Sequence, residues 1–136
     1  NAYGIPKEQL KEVSKLGIAK INVDTDIRLA VTRNLRELFW YHPELRDHES
    51  IKPIYELLQT KTSDFDPRVF LTPIMDTVMY GVVPNEDVAL IVSAIEKGVK
   101  EAVGTLIVDF DSYGKAPLVE NVTLDEMAER YRKAGI

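Results

Sequence analysis

The chain has 136 residues, of which 45% are hydrophobic and 29% charged, and it contains no cysteine. This composition is typical of one folded globular domain, and it excludes a disordered tail, a collagen, a disulfide-stapled miniprotein and a thiolate metal site. The net charge of −5 arises in residues 69–136, because residues 1–68 are neutral. An acidic surface repels nucleic-acid phosphate, so we expect no nucleic-acid partner, whereas a local site can still bind a small phosphorylated ligand.

The N-terminal part predicts a helix, a strand and a second helix. The first helix is expected between Pro6, which suits a first helical position, and Gly17, which suits a helix end. Alternating side chains predict a short strand over residues 19–23. The second helix is amphipathic, is capped by Thr25 or Asp26, and ends before the next proline.

The middle of the chain predicts a connector and a further helix. Residues 42–63 are a polar connector that encloses a short helix over about 51–59. Asp66 is predicted to cap the next helix and Pro67 to be its first residue, with the helix running to about Tyr80.

The C-terminal part begins with the clearest amphipathic pattern of the chain, over residues 86–103, and Asn85 is expected to cap this helix. Its apolar face predicts a contact with the core or with another subunit. Gly104 is expected to end this helix, and residues 105–110 are expected to form a strand. Thr123 and Glu126 form a capping-box pattern for a last helix. This alternation of helices and short strands favours an α/β fold.

The polar residues at the end of the first predicted strand are the best candidates for chemistry. Ligands of α/β folds bind at this end of the strands, and the following helix N-terminus favours an anion. Thr25 adds a hydroxyl donor, Asn22 can donate and accept, and Asp24 can accept from sugar hydroxyls. The alternative is that Thr25 or Asp26 only caps the helix and Asn22 is an ordinary polar residue.

Four pieces of sequence, in this order, resemble the C-terminal part of the class II, zinc-dependent fructose-bisphosphate aldolases. They cover roughly residues 3–78 and are Tyr3-Gly4-Ile5-Pro6, Gly17-Ile18-Ala19-Lys20-Ile21-Asn22-Val23-Asp24-Thr25-Asp26, Arg28-Leu29-Ala30 and Asp66-Pro67-Arg68-Val69-Phe70-Leu71. The resemblance implies that residues 19–23 form the eighth strand of a TIM (β/α)8 barrel. We therefore expect the last helix-strand-helix unit of that barrel in residues 1–41, the connector in 42–63, and a mainly helical C-terminal region and extension in 64–136.

The resemblance also implies roles for individual residues. Asn22 would contact the substrate near the reacting carbons, and Asp24 and Thr25 would help to bind a phosphate. Arg68 would reach into a neighbouring subunit of a homodimer or larger assembly and contact the distal phosphate of a sugar bisphosphate. A planar guanidinium can bind phosphate in a bidentate manner. The alternative is that Arg68 is a solvated arginine at a helix start.

The zinc ion of this family is not expected to be bound by this chain. The resemblance places three histidine ligands and the catalytic aspartate on earlier strands. His42 and His48 lack the i, i+4 spacing that puts two ligands on one helix face. Asp109 and Asp111 are expected to be a solvated pair. A barrel needs about 250 residues, so we expect the chain to be part of a longer enzyme and not to be active alone.

The resemblance implies a metal-dependent lyase that reversibly cleaves fructose 1,6-bisphosphate to dihydroxyacetone phosphate and glyceraldehyde 3-phosphate. A tagatose-bisphosphate aldolase is an alternative, because its motifs are shared. A non-catalytic oligomerisation or interaction module derived from an aldolase is another. No apolar run approaches the 18 residues of a membrane span and no export leader is seen, so we expect a cytoplasmic protein without a membrane partner.

Overall fold

The computed structural model describes residues 4–18 and 20–135, and the regular elements within these ranges are helices. The α-helices are α1 (Lys7–Val13), α2 (Thr25–Tyr41), α3 (Lys52–Thr60), α4 (Pro67–Leu71), α5 (Met75–Tyr80), α6 (Glu86–Asp109) and α7 (Leu124–Ala134). Short 3-10 turns lie at Ser14–Leu16, Pro43–Asp47, Thr72–Ile74 and Ala116–Leu118. Within the same ranges, none of these helices combines the length and apolarity that crossing a bilayer requires.

Local signals place most helix ends where the sequence predicts them. Gly17 ends the first helical segment in the left-handed conformation, with φ of 78°. The Asn85 side chain accepts from the amide of Val88 and caps α6. Thr123 and Glu126 form the predicted capping box at the start of α7. Each of these side chains satisfies an amide that a helix terminus leaves unpaired, which is why such ends can be predicted from short patterns.

The predicted helix from Pro67 to Tyr80 is divided into two. Asp66 caps α4 as expected, and its side chain accepts from the amide of Arg68. A 3-10 turn then separates α4 from α5 around Pro73. Proline has no amide hydrogen and its ring clashes with the preceding turn, so an α-helix cannot pass through it unchanged.

The core forms where α2 and α6 pack against each other and against the shorter helices. Asp26 and Asp109 line one groove between the two helices, and Tyr41 and Leu90 line another, so α2 and α6 run antiparallel. The buried apolar side chains are Val31, Leu35, Phe39, Leu45, Ile51, Ile54, Leu58, Phe70, Leu71, Ile74, Val88, Ile91 and Ala94. Burial of such side chains stabilises the fold by about 1.5–3 kcal/mol each.

At Gly98 the backbones of α2 and α6 come close together. A Cβ atom at this position would lie 2.7 Å from Cα of Val31 and 2.8 Å from the carbonyl oxygen of Ala30. The predicted face of α6 did not include Gly98. The helices can therefore approach each other this closely only because Gly98 has no side chain.

The expected α/β fold, as the C-terminal part of a TIM barrel, is wrong. Between residues 4–18 and 20–135 no residue lies in a β-strand. Residues 20–23 of the predicted strand 19–23 have no regular structure. Ala19 of this strand, like Tyr3 of the first matching piece, lies outside the described residues. The physical reason is that a strand is stabilised by hydrogen bonds to neighbouring strands, and none is present in the described part of this chain.

The second predicted strand, over residues 105–110, is also wrong. Helix α6 continues through Gly104 and ends at Asp109. Glycine lowers helix stability by only about 1 kcal/mol relative to alanine. Extending a helix that is already formed needs no new nucleus, so Gly104 alone does not end α6. Asp109 is not a solvated partner of Asp111, because it lies 3.5 Å from Nζ of Lys7 and 3.7 Å from Nζ of Lys11.

Candidate functional site

An arginine and two carboxylates connect the start of α2 to the start of α4. Nε of Arg28 donates to Oδ1 of Asp24 at 2.8 Å, and Nη2 lies 2.6 Å from Oδ2 of the same carboxylate. Its other terminal nitrogen, Nη1, donates to Oδ2 of Asp66 at 2.6 Å. One guanidinium thus binds two carboxylates that are far apart in sequence, which is the geometry that its planar donors favour.

The same carboxylate of Asp66 binds Arg68. It accepts from the backbone amide of Arg68 at 3.0 Å and from the Arg68 side-chain Nε at 3.0 Å and 3.1 Å. The hydrogen bond from the Arg68 guanidinium, with its amide and the charge of Arg28, lowers the pKa of Asp66 to about 2 against the opposing effect of burial. In return, Asp66 raises the pKa of Arg68. We call Asp24, Arg28, Asp66 and Arg68 the arginine–carboxylate network.

Two further side chains of α2 hold the loop that carries Asp66. The hydroxyl of Thr32, which is buried, donates to the carbonyl oxygen of Phe65 at 2.7 Å. The Arg36 guanidinium donates to the carbonyl oxygens of Lys61, Thr62 and Asp64, each at 3.3 Å. Helix α2 therefore holds the network at two places. Arg28 holds it at the N-terminus of the helix, and Thr32 and Arg36 hold the loop that carries Asp66.

The N-terminus of α2 differs by one residue from the prediction. The helix begins at Thr25, so Asp24 occupies the cap position that was predicted for Thr25 or Asp26. The Asp24 side chain makes no capping hydrogen bond, because its carboxylate is turned towards Arg28. Side-chain capping is thus replaced by an ion pair, and the helix dipole still favours an anion at this end.

The structure brings two of the predicted site residues, Asp24 and Arg68, into one network. Thr25 is half-buried at the first position of α2. Asn22 is exposed and lines a different groove of about 240 Å³, together with Leu10 and Val13 of α1. The predicted residues therefore lie on two neighbouring surfaces.

Arg68 combines one strong partner with a large exposed area. Its side chain is 67% exposed, although Asp66 binds both the backbone amide and the guanidinium. A phosphate approaching from solvent can reach the guanidinium and would compete with Asp66 for its donors. The arrangement keeps a cation oriented at the surface.

The two histidines contact two different carboxylates. Nδ1 of His42 is 3.1 Å from Oε1 of Glu44, and Nδ1 of His48 is 2.9 Å from Oδ1 of Asp87. No group of three or more histidine, cysteine, aspartate or glutamate side chains that could hold a metal ion occurs among residues 4–18 and 20–135. The described residues do not fit a zinc ion, so we derive no step through a metal.

Comparison with known proteins settles the family. The family model described as fructose-bisphosphate aldolase class-II matches residues 2–115. The chain belongs to the class II fructose-bisphosphate aldolase family. It is similar to the fructose-bisphosphate aldolases of Rhizobium meliloti (30% identity over 134 residues, 98% of this chain and 26% of the relative) and Xanthobacter flavus (30% over 129 residues, 95% and 25%).

A third relative is matched over most of its length. The fructose-bisphosphate aldolase 2 of Rhodobacter capsulatus is 26% identical over 134 residues, which is 98% of this chain and 82% of the relative. Against the two relatives above, this aldolase-family chain spans only about a quarter of their length. No solved structure shows a significant match to the chain.

Sequence reasoning missed Arg28 as a site residue and treated Asp66 only as a cap. The spacing of Asp24 and Arg28, four residues apart at a helix start, is a recognisable ion-pair signal. The contact between Arg28 and Asp66 spans 38 residues and leaves no local signal.

Proposed function

We propose that this chain contributes the phosphate-binding part of a class II aldolase that reversibly cleaves fructose 1,6-bisphosphate to dihydroxyacetone phosphate and glyceraldehyde 3-phosphate. Family membership supports the reaction class. The observation that carries the binding role is the exposed guanidinium of Arg68, held by Asp66 within a network that begins at the N-terminus of α2. The positive charge of the guanidinium and the N-terminus of a helix both favour binding of a dianionic phosphate.

The other residues of the proposal bind and orient the sugar. The hydroxyl of Thr25 and the amides of the first turn of α2 would donate to a phosphate, which matches the polarity of a helix N-terminus. Asp24 would accept from a sugar hydroxyl, and Asn22 would donate and accept near the reacting carbons. Because Arg28 already occupies Asp24, this carboxylate would hold the sugar with the oxygen lone pairs that Arg28 leaves available.

We further propose that Arg68 acts on a sugar bisphosphate bound in a neighbouring subunit of a homo-oligomer. Its exposure supports this role, because a guanidinium at the surface can reach a ligand outside its own chain. Asp66 would limit the number of side-chain conformations that Arg68 must give up on binding, which lowers the entropic cost. The ligands of the zinc ion and the residue that transfers the proton would lie outside this chain.

Substitution of Arg68 tests the binding role. In the aldolase that contains this chain, Arg68→Ala should raise KM for the bisphosphate at least tenfold, since about 1.4 kcal/mol of binding corresponds to a factor of ten. Arg68→Lys should restore part of the loss, because it keeps the charge and loses the bidentate geometry. The matched control is Lys100→Ala, which removes an exposed cation paired with Glu96 at 3.1 Å. Unchanged KM and kcat for Arg68→Ala would refute the role.

Mixing two impaired variants, assayed at a substrate concentration well below KM, tests whether the site is shared between subunits. An assembly of Arg68→Ala and Asn22→Ala subunits should regain sites in which both residues are native. Recovery of activity above the mean of the separate variants is expected. No recovery, with mixed assemblies confirmed by mass, would place Arg68 and Asn22 in the same subunit's site.

Two alternatives are distinguished by direct assays. The second candidate is a non-catalytic interaction module, which the exposed apolar side chains Leu124 and Tyr131 of α7 favour. Turnover of fructose 1,6-bisphosphate by the isolated chain with a zinc salt would exclude that module. Tagatose bisphosphate would present the same two phosphates to Arg68 and Thr25 as fructose 1,6-bisphosphate. Only a comparison of kcat/KM for the two sugars therefore separates a tagatose-bisphosphate aldolase from a fructose-bisphosphate aldolase.

A further inference from the structure

Helix α7 presents an apolar stripe that the described chain leaves uncovered. Leu124 is 90% exposed, Tyr131 52% and Met127 37%, and no residue of α7 is buried. The three side chains are three or four residues apart, so they lie on one face of the helix. This is the pattern of a helix that packs on a partner.

Local capping signals close both ends of α7, whereas none of its side chains is buried. The capping box closes its N-terminus, and Gly135 closes its C-terminus with φ of 77°. A helix of 11 residues in which no side chain is buried is nevertheless marginal in water. Covering the apolar stripe would supply the stabilisation that the end caps alone do not provide.

The charges of α7 are arranged so that the helix complements itself. Asp125 and Glu126 lie in its first turn and Arg132 and Lys133 in its last turn. Glu129 and Arg130 lie between them, so α7 carries three acidic and three basic residues. Helix α7 is therefore neutral, whereas the whole chain carries a charge of −5. A second α7 can approach without the net repulsion that the rest of the chain would exert.

The positions of the charges favour an antiparallel pair. Residues rotate by about 100° along an α-helix, which places Asp125 and Arg132 on one side of the stripe and Glu126 and Arg130 on the other. In an antiparallel pair, each side faces the same side of the second helix in reverse order. Asp125 would then lie beside Arg132 of the second copy, and Glu126 beside Arg130. A parallel pair would place like charges together.

The ion pairs present within one chain do not oppose this arrangement. Arg132 lies 3.1 Å from Glu129, and Arg130 lies 2.9 Å from Glu120. These are exposed pairs, which contribute about 0–1 kcal/mol each and exchange partners at little cost.

We propose that α7 pairs antiparallel with α7 of a second copy of this chain, about a two-fold axis next to Ala128. Leu124, Met127 and Tyr131 of each copy cover one another at this contact. The contact is small, and interfaces below about 1,200 Å² are typical of weak association. The proposal is independent of the aldolase reaction and of the role of Arg68.

Single cysteines test the geometry, since the chain has none of its own. With a short-span thiol cross-linker, Ala128→Cys should form covalent dimers at least five times faster than two matched variants. Glu129→Cys lies at the same level on the opposite side of α7. Leu124→Cys lies on the apolar face but about 13 Å along the axis from its copy, at 1.5 Å rise per residue.

Charge reversal tests the pairing, and no single chain has to carry both reversed charges. In the Ala128→Cys background, Asp125→Arg alone or Arg132→Asp alone should weaken association roughly tenfold, because attractive contacts become repulsive. A mixture of the two variants should restore the native yield, since each chain then supplies the charge that the other lacks. Circular dichroism of each variant verifies that α7 remains helical.

Three outcomes would overturn the proposal. Equal cross-linking of Ala128→Cys and Glu129→Cys would mean that the stripe does not meet a second copy. Faster cross-linking of Leu124→Cys would show a parallel pair. Failure of the mixture to exceed the separate variants would show that the charges do not meet, as expected if another partner or another part of a longer polypeptide covers the stripe.

Discussion

The two halves of α6 carry similar side chains in different surroundings. In the first half, Ile91 is fully buried against the core, and at the midpoint of the helix Gly98 lies against the backbone of α2. In the second half, Ile107 is 39% exposed, and nothing lies within 4 Å of a Cβ atom placed on Gly104. An apolar pattern therefore shows which face of a helix can be buried, whereas the partner decides how much of that face is buried.

Replacing the isoleucines gives the largest expected contrast between the halves. Ile91→Ala should lower the free energy of unfolding by about 2–5 kcal/mol, because it removes buried methyl groups and leaves a cavity. Ile107→Ala should change it by less than about 0.5 kcal/mol. Urea denaturation of both variants measures the difference. Similar losses would mean that the second half of α6 is also covered.

The two glycines of α6 should respond with opposite sign. Gly98→Ala should destabilise the chain by about 1–3 kcal/mol, since the added methyl group overlaps the backbone of Val31 and forces the helices apart. Gly104→Ala should stabilise it by up to about 1 kcal/mol, because alanine is the better helix former and the position is open. Thermal unfolding of the pair provides the measurement, and a stabilising Gly98→Ala would contradict the close crossing.

The arginine–carboxylate network also joins α2 to another helix, but it does so through charged groups and not through close packing. Arg28→Met should lower stability by about 1–2 kcal/mol, because Asp24 and Asp66 lose a charged donor and repel each other. Arg28→Lys should recover only part of this, since an ammonium group lacks the planar donors. Chemical denaturation at two salt concentrations checks the result. A loss of the same size at high salt would point to packing of the side chain instead.

A smaller effect concerns pH and the Asp66 carboxylate. Its pKa is about 2 in the folded chain against an ordinary 3.8, so its contribution to stability is present above pH 4 and is lost as the pH falls towards 2. The contribution is about 1 kcal/mol after allowance for partial solvation. Asp66→Asn should be less stable than the native chain at pH 6 and nearly equal to it at pH 2. Parallel stability curves over this range would exclude the effect.

The sequence predicts the elements that depend on local chemistry. Gly17, Asn85 and the Thr123–Glu126 box each act within a few residues, and each ends or begins a helix as predicted. The strand over 19–23 fails because a strand is defined by its neighbours, and the described part of this chain supplies none. Asp24 with Arg28 could be anticipated from spacing, whereas the approach of Asp66 requires the packing of α3 and its following loop on α2.

The ion pairs of Asp109 make the attachment of α1 sensitive to ionic strength. Helix α1 has no buried residue, and its Lys7 and Lys11 lie beside Asp109 at the end of α6. In 1 M salt the Debye length falls to about 3 Å, so these ion pairs should weaken and α1 should open more often while α2 and α6 stay folded. Hydrogen exchange would then reveal a chain that opens in a fixed order, with the amides of α1 exchanging through local opening and those around Leu35 only through global unfolding.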